Sequence, residues 1–230
     1  MRPCDLPWLP RALQVLDLRS TDRLLLCLPG HAEVAKAVAI ALGSKGELTV
    51  LEPRRVVAEA IAAAQPDAEV VAMDVAGNHH FGDFDALLLV PFAPPARPAA
   101  EWARFVARNL RPGGRFAVDL PAEDPWPDLA AAAATAQLPA TVALRSALRG
   151  VSESDLGSAL KSAGLRRVDA LLGTHLVAFA SPFEAAELIG DALRLAESER
   201  LQIGSALAHR CQATAAVELR VLRCAFAGMR

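Results

Sequence analysis

Two acidic residues stand at the ends of apolar runs in the first half of the chain. Glu52 closes "ELTVLE" and Asp74 closes "AEVVAMD". A carboxylate at the tip of a strand can accept hydrogen bonds from both hydroxyls of a ribose, and a second one on the next strand can accept from the amino group of an adenine. Ahead of them, "LPGH" separates the apolar run "RLLLC" from the helix-like "AEVAKAVAIAL". Backbone N–H groups at the start of such a helix can meet a polar ligand, and Gly30 is a point where the chain can approach that ligand closely. His31 lies inside this turn. His79 and His80 in "GNHHFGDF" are candidate proton carriers, with a solvent-facing role as the plainer reading. Asp83 and Asp85, on either side of Phe84, read as loop and strand-start residues. Pro91 and Phe92, after "DALLLV", offer flat apolar surfaces to a base or an acceptor.

These residues need a scaffold, and the patterning supplies one. Trp8, Leu9, Leu13 and Leu16 share helical spacing. "RLLLCLP", "ELTVLEP", "AEVVAMDV", "DALLLVPF" and "RFAVDLP" read as five strands, apolar enough to be covered by helices on both faces. Between them, residues 32–42, "RRVVAEAIAAAQ" and "PAAEWARFVARNL" read as helices, with "GSKG" and "RPGG" as turns. Alternating strands and helices with right-handed crossovers imply a doubly wound, Rossmann-like α/β sheet, mostly parallel. Ligands of such sheets bind outside the carboxyl ends of the strands, where Gly30, Glu52, Asp74 and Pro91 all fall.

The second half is less regular. Residues 124–150 read as alanine-rich helix and loop. "SESDLGSALKSAGL" is a firmer helix, with Ser152 and Asp155 able to form a capping box and Gly164 as its stop. "RRVDALL" and "HLVAFA" are either one bent strand or a hairpin turning at Gly173. Residues 181–212 read as helix, and Val217, Leu219 and Val221 alternate as a closing strand would. The 230 residues, 53% of them hydrophobic, are expected to form one domain: a core over 20–180, a helical lid or insertion over 181–212 and a closing strand over 213–230.

Composition narrows the function. The formal charge is −2 with no block of Lys or Arg, so no electrostatic footprint for nucleic acid is present. Prolines break the longest apolar stretch, "ALLLVPFAPPA", and no membrane span is expected. The start, with Asp5, Pro7 and Pro10, does not read as a signal peptide, so a cytoplasmic protein is expected. Cys4, Cys27, Cys211 and Cys224 are scattered, with no spacing for zinc, and read as reduced, mostly buried thiols; no metal is expected.

The run "DRLLLCLPGHAEVAKAVAIALGSKGELTVLEP", then "DAEVVAMDVAGNHHFGDFDALLLVPF" and above all "FVARNLRPGGRFAVDLP" resembles the class I S-adenosylmethionine-dependent methyltransferases of the small-molecule type. "LRPGG" before the fifth strand is the most specific piece, and "LKSAGLRRVDALLGTHLVAFASPFEAAELI" is similar to the family's later section. The resemblance covers residues 8 to 180 well and the remainder loosely. It implies a seven-stranded sheet with an antiparallel last strand, S-adenosylmethionine as cofactor and a small-molecule acceptor. It makes Leu28, Pro29 and Gly30 the methionine-side loop, Glu52 the ribose carboxylate, Asp74 with Val75 the adenine contacts, and Val90 with Pro91 the floor of the transfer site.

The first motif departs from the family. Where the family has an acid on the first strand and then alternating glycines, this chain has Cys27, Pro29, His31 and Glu33, with Gly30 off register by one. Pro29 removes an N–H donor, and each lost hydrogen bond costs about 1 kcal/mol. Two functions stay open: a methyltransferase acting on oxygen or carbon of a small molecule, and a methyltransferase-like binding or scaffold subunit that has lost the cofactor. "VPFAPP" lacks the asparagine or aspartate that methylation of aminated bases requires. In the first function, residues 124–150 and 181–212 would close over the acceptor and His80 would help as a base. The second leaves room for a homodimer or for pairing with a related active protein. A nicotinamide oxidoreductase would want G-x-G-x-x-G after the first strand, which "LPGHAE" does not supply.

Overall fold

A computed structural model describes residues 7–75, 78–91, 97–122, 126–135, 152–193, 195–212 and 216–230. Helix α1 (Leu9–Leu16) leads into β1 (Arg23–Cys27), α2 (Ala32–Leu42), β2 (Glu47–Leu51), α3 (Arg55–Ala64), β3 (Glu69–Val71) and β4 (Phe84–Leu89). Then come α4 (Ala99–Asn109), β5 (Leu110–Pro121), α5 (Pro127–Thr135), α6 (Glu153–Ser162), β6 (Arg166–Phe179), α7 (Pro182–Leu193), α8 (Glu197–Cys211) and β7 (Val217–Met229). The strands form one seven-stranded sheet in the order β3-β2-β1-β4-β5-β7-β6. β1 pairs in parallel with β2 and β4, and β7 runs antiparallel to both β5 and β6. The sheet is therefore doubly wound and Rossmann-like, with its switch point between β1 and β4, and the closing strand is the antiparallel one.

Apolar runs make the central strands because both faces are covered. Leu24, Leu25 and Leu26 of β1 are all fully buried, each burial contributing about 1.5–3 kcal/mol. On one face Leu24, Leu26 and Leu88 pack with Trp8 and Leu16 of α1, Val34 and Val38 of α2 and Ile61 of α3. On the other, Leu25, Leu87 and Val118 pack with Trp102 and Phe105 of α4 and Leu156 and Leu160 of α6. α2 stops at Gly43, whose φ of 81° the missing side chain permits.

Several elements differ in detail from the sequence reading. β3 ends at Val71 because the carbonyl of Val71 accepts from both Glu52 and Met73, which turns the chain out of the sheet before Asp74. "RPGG" does turn, but inside β5: Phe84 pairs with Leu110 and Ala86 with Arg115, so residues 111–114 bulge from the ladder. There Gly113 has φ 77°, and a Cβ on Gly114 would meet the Arg111 and Phe84 carbonyl oxygens at 2.9 and 3.0 Å. Residues 166–179 form one strand with an irregularity between Arg166 and Asp169, not a hairpin at Gly173. Ser152 stands at the N-cap of α6 without capping it; its hydroxyl pairs with that of Ser154 at 2.9 Å. Within the stretch read as a helical lid or insertion, α7 and α8 bury Ala185, Ala186, Ile203 and Leu207 with Val177, Phe179 and Leu219. Phe92 and most of 124–150 lie outside the described residues. Cys27 and Cys224 are buried, whereas Cys211 is exposed. Among the described residues no helix is long and apolar enough to cross a membrane.

One buried ion pair ties the strand tips together. Arg223 on β7 is 1% exposed and Asp119 on β5 is 3% exposed. Arg223 Nε donates to Asp119 Oδ1 at 2.6 Å, Nη2 to the Asp119 carbonyl at 2.6 Å and Nη1 to the Pro91 carbonyl at 3.0 Å. Its guanidinium lies 4.6 Å from the centre of the Trp8 ring. Arg223→Met strands a buried carboxylate and is expected to cost about 3–5 kcal/mol in urea unfolding, whereas Arg223→Met with Asp119→Leu recovers most of that loss.

Candidate functional site

At the carboxyl ends of β1 and β2, beside the switch point where doubly wound sheets offer a crevice, stand the loop 28–31 and Glu52. Leu28 continues the ladder beyond β1, its N–H donating to the Leu51 carbonyl at 2.8 Å, and it takes a left-handed φ of 57°. Pro29 has no N–H, so Gly30 brings the next donor. With φ 75°, Gly30 aims its N–H at Glu52 Oε2, 3.0 Å away. His31 then returns to extended backbone, φ −148°, and starts α2.

Glu52 is 1% exposed, and both of its oxygens are engaged. Oε1 accepts from the Arg54 backbone N–H at 3.2 Å and from Arg54 Nε at 2.8 Å. Arg54 also reaches over the loop, Nη2 donating to the Gly30 carbonyl at 2.9 Å. A carboxylate, a glycine loop and an arginine thus close on one another across the crevice. The arginine is the outermost of the three, its side chain 58% exposed against 2% for that of Glu52.

Asp74 is arranged differently. Its Oδ1 accepts from the N–H of Val75 at 2.8 Å, and its Oδ2 is paired with Arg97, which also holds Glu101 at 3.1 Å. The Asp74 side chain is 58% exposed, while Val75 is buried. Both acids expected to contact adenosine therefore already carry an arginine, Glu52 from two residues on and Asp74 from across a loop. At the tip of β4, Val90 is buried and donates its N–H to the Cys27 carbonyl at 3.2 Å. Pro91, also buried, has its carbonyl held by Arg223.

Two further residues change the electrostatics. Burial raises the pKa of Cys27 far above the ordinary thiol value, so β1 ends in a neutral group and offers no anion to a cationic ligand. The pKa of His31 is lowered, first by burial and then by the Arg54 guanidinium, with Glu52 acting in the opposite sense. His80 is not part of the crevice. It precedes β4, at the far end of that strand from Pro91, and the loop there is pinned where α4 ends: Asn109 Oδ1 accepts from the Phe81 N–H at 2.7 Å. The structure therefore does not bring His80, expected as a base, to the ends of β1, β2 and β4 where the other expected residues stand. Among the described residues no group of His, Cys, Asp or Glu is arranged to hold a metal.

Sequence reasoning missed Arg54, Arg97 and Arg223. Arg54 had a signal, since it follows Glu52 at the turn into a helix. Arg223 had one as the lone cation in "VLRCAFAG". Arg97 had none, because its partner Asp74 lies across a loop.

The fold has known counterparts in three dimensions. YcgJ of Bacillus subtilis superposes with a TM-score of 0.65 at 14% identity, covering 96% of this chain and 97% of its own. A methyltransferase of Thiobacillus denitrificans, solved with S-adenosyl-L-homocysteine, gives 0.56 at 17% identity over 99% of this chain and 92% of its own. The fold is that of the class I methyltransferases. The [4+2]-cyclase SpnF gives 0.57 at 16% identity over 96% and 79%. No family model matches the sequence, and no curated protein matches it.

The geometry around His31 has a direct readout. In an NMR titration its imidazole is expected to titrate below the ordinary value of about 6.5, and Arg54→Ala is expected to move it upward, because a repelling cation is removed while Glu52 remains. An unmoved midpoint would mean that Arg54 does not cover this crevice in solution.

Proposed function

We propose that the chain is an S-adenosylmethionine-dependent methyltransferase acting on oxygen or carbon of a small-molecule acceptor, with Leu28, Pro29, Gly30, Glu52, Asp74, Val75, Val90 and Pro91 lining the cofactor site. The observation that carries this is the buried carboxylate of Glu52, held between the tips of β1 and β2 by the Gly30 N–H. A ligand with adjacent hydroxyls can take the place of Arg54 on Oε1 while Gly30 keeps Oε2 in position. Arg54 can leave because its side chain is more than half exposed, and a displaced guanidinium regains water. Asp74 can exchange Arg97 for an amino donor in the same way. The loop fits the group less well at Pro29, which has no N–H to give, and at Cys27, which is neutral.

When bound, the sulfonium supplies an activated methyl group for in-line displacement, a reaction in which positioning accounts for much of the acceleration. The chain's contribution is correspondingly geometric. Glu52 and Gly30 orient the nucleoside, and Val90 and Pro91, fixed by Cys27 and Arg223, form a rigid apolar floor.

A second reading, a methyltransferase-like binding or scaffold subunit without cofactor, is favoured by a specific observation: both acids are already neutralised by arginines. Calorimetric titration with S-adenosylmethionine and S-adenosylhomocysteine separates the two. The enzyme reading expects saturable binding that Glu52→Ala weakens about tenfold or more, from the loss of a charged hydrogen bond of about 1.5–3 kcal/mol, and that Arg54→Ala tightens. No heat at millimolar ligand from either the wild type or Arg54→Ala would leave only the scaffold.

A further inference from the structure

Among the described residues β6 is the outermost strand of the sheet and pairs with β7 alone. Its free edge carries backbone donors and acceptors that can template another strand, and natural proteins usually blunt such edges with charges, prolines or bulges. The irregularity in β6 is confined to its start, between Arg166 and Asp169. From Ala170 to Phe179 the strand has no proline, no Lys, Arg, Asp or Glu. Along one face it exposes Leu172 at 61% and Leu176 at 58%, with Ala170, Thr174 and Ala178 exposed beside them.

The order of these exposed residues says what fits. Ala170, Leu172, Thr174, Leu176 and Ala178 read the same in both directions about Thr174. An antiparallel strand of the same sequence, related by a two-fold axis through Thr174, sets Leu172 against Leu176 of the second copy, Ala170 against Ala178 and Thr174 against itself. Gly173 then faces His175 of the copy. Moving the axis by one residue sets leucine against threonine or alanine and loses both leucine pairs. Self-complementarity of this kind is what an isologous two-fold contact demands, and apolar and Thr–Thr cross-strand pairs each contribute favourably.

We propose that β6 is a homodimerisation edge: two copies pair antiparallel through residues 170–178 about Thr174, joining their sheets into one. The proposal does not depend on whether the crevice at Glu52 binds a cofactor. None of the residues involved lies in that crevice.

Light scattering after size exclusion, from micromolar to near-millimolar protein, is expected to show a mass rising toward that of a dimer. Thr174→Lys places two ammonium groups face to face on the axis and is expected to give a monomer with unchanged circular dichroism. Leu172→Glu and Leu176→Lys are each expected to weaken association, and the two together to restore it, because each new carboxylate then faces a new ammonium of the other copy. Under mild oxidation Thr174→Cys is expected to yield a covalent dimer, with wild type as the control for exposed Cys211, while Leu172→Cys, which does not face itself, is not. A monomer at every concentration, or a dimer that Thr174→Lys leaves intact, overturns the proposal.

Discussion

A carboxylate withdrawn from water at the tip of a central strand has to find donors, because an unpaired buried charge costs several kcal/mol. Glu52 is in that position, and its needs fix the backbone around it. The N–H of Leu28 is committed to the β1–β2 ladder and Pro29 has none, so the nearest loop donor is Gly30. Turning that N–H toward Glu52 requires a left-handed residue at 30, which glycine accepts freely. It also coincides with a left-handed Leu28, a conformation costing a non-glycine residue roughly 1–2 kcal/mol. Such strain persists where surrounding contacts over-determine it, and here the Leu51 carbonyl on one side and the Glu52 carboxylate on the other do so.

The second buried charge in this region acts on the other side of β1, at the ends of β4, β5 and β7. Arg223 draws the ends of β4, β5 and β7 together by bonding at once to the Pro91 carbonyl and to both the side chain and carbonyl of Asp119. With Glu52 fixing β1 against β2 and Arg223 fixing the other three, the backbone lining the crevice has little freedom. What remains able to move is side chains at the surface, Arg54 above all. A ligand entering here would exchange hydrogen-bond partners without remodelling strands, and its affinity would be set by the difference between two charged hydrogen-bond sets. The single glycine of the 28–31 loop fits this arrangement. A loop whose single glycine is used to satisfy a buried acid has no need of the others, and Pro29 and His31 are tolerated because their positions carry no donor to Glu52.

The sheet was legible because its signals are local. Continuous apolar runs flanked by helical periodicity gave β1, β2, β4 and β5, and the alternation of Val217, Leu219 and Val221 gave β7 as a strand. The "RPGG" turn was legible as a turn but not as a bulge within β5, since its pairing with Phe84 depends on a strand far away in the chain. β3 read too long for a similar reason: its end is set by the Val71 carbonyl accepting from Glu52 and Met73, not by any change in residue type. At the site, the places of Glu52 and Gly30 could be read from strand ends, whereas their partners could not. Arginine pairing leaves no periodic trace, so Arg97 on Asp74 and Arg223 beneath Pro91 are visible only in three dimensions. His80 misled because a histidine in a loop looks alike at either end of a strand.

The sheet order also keeps the crevice and the free edge apart. β4, β5 and β7 stand between β1 and β6, and the strands between them are locked at their tips by Arg223 and Asp119. Energetic coupling falls away between groups that share no partners, and Glu52 and Thr174 share none. A contact made along β6 would therefore leave the β1–β2 crevice open to solvent, at opposite ends of a joined sheet, with each crevice keeping its own Arg54. Association along β6 and ligand exchange at Glu52 would draw on different physics: one on backbone edges and matched apolar pairs, the other on a buried acid and the cation that covers it.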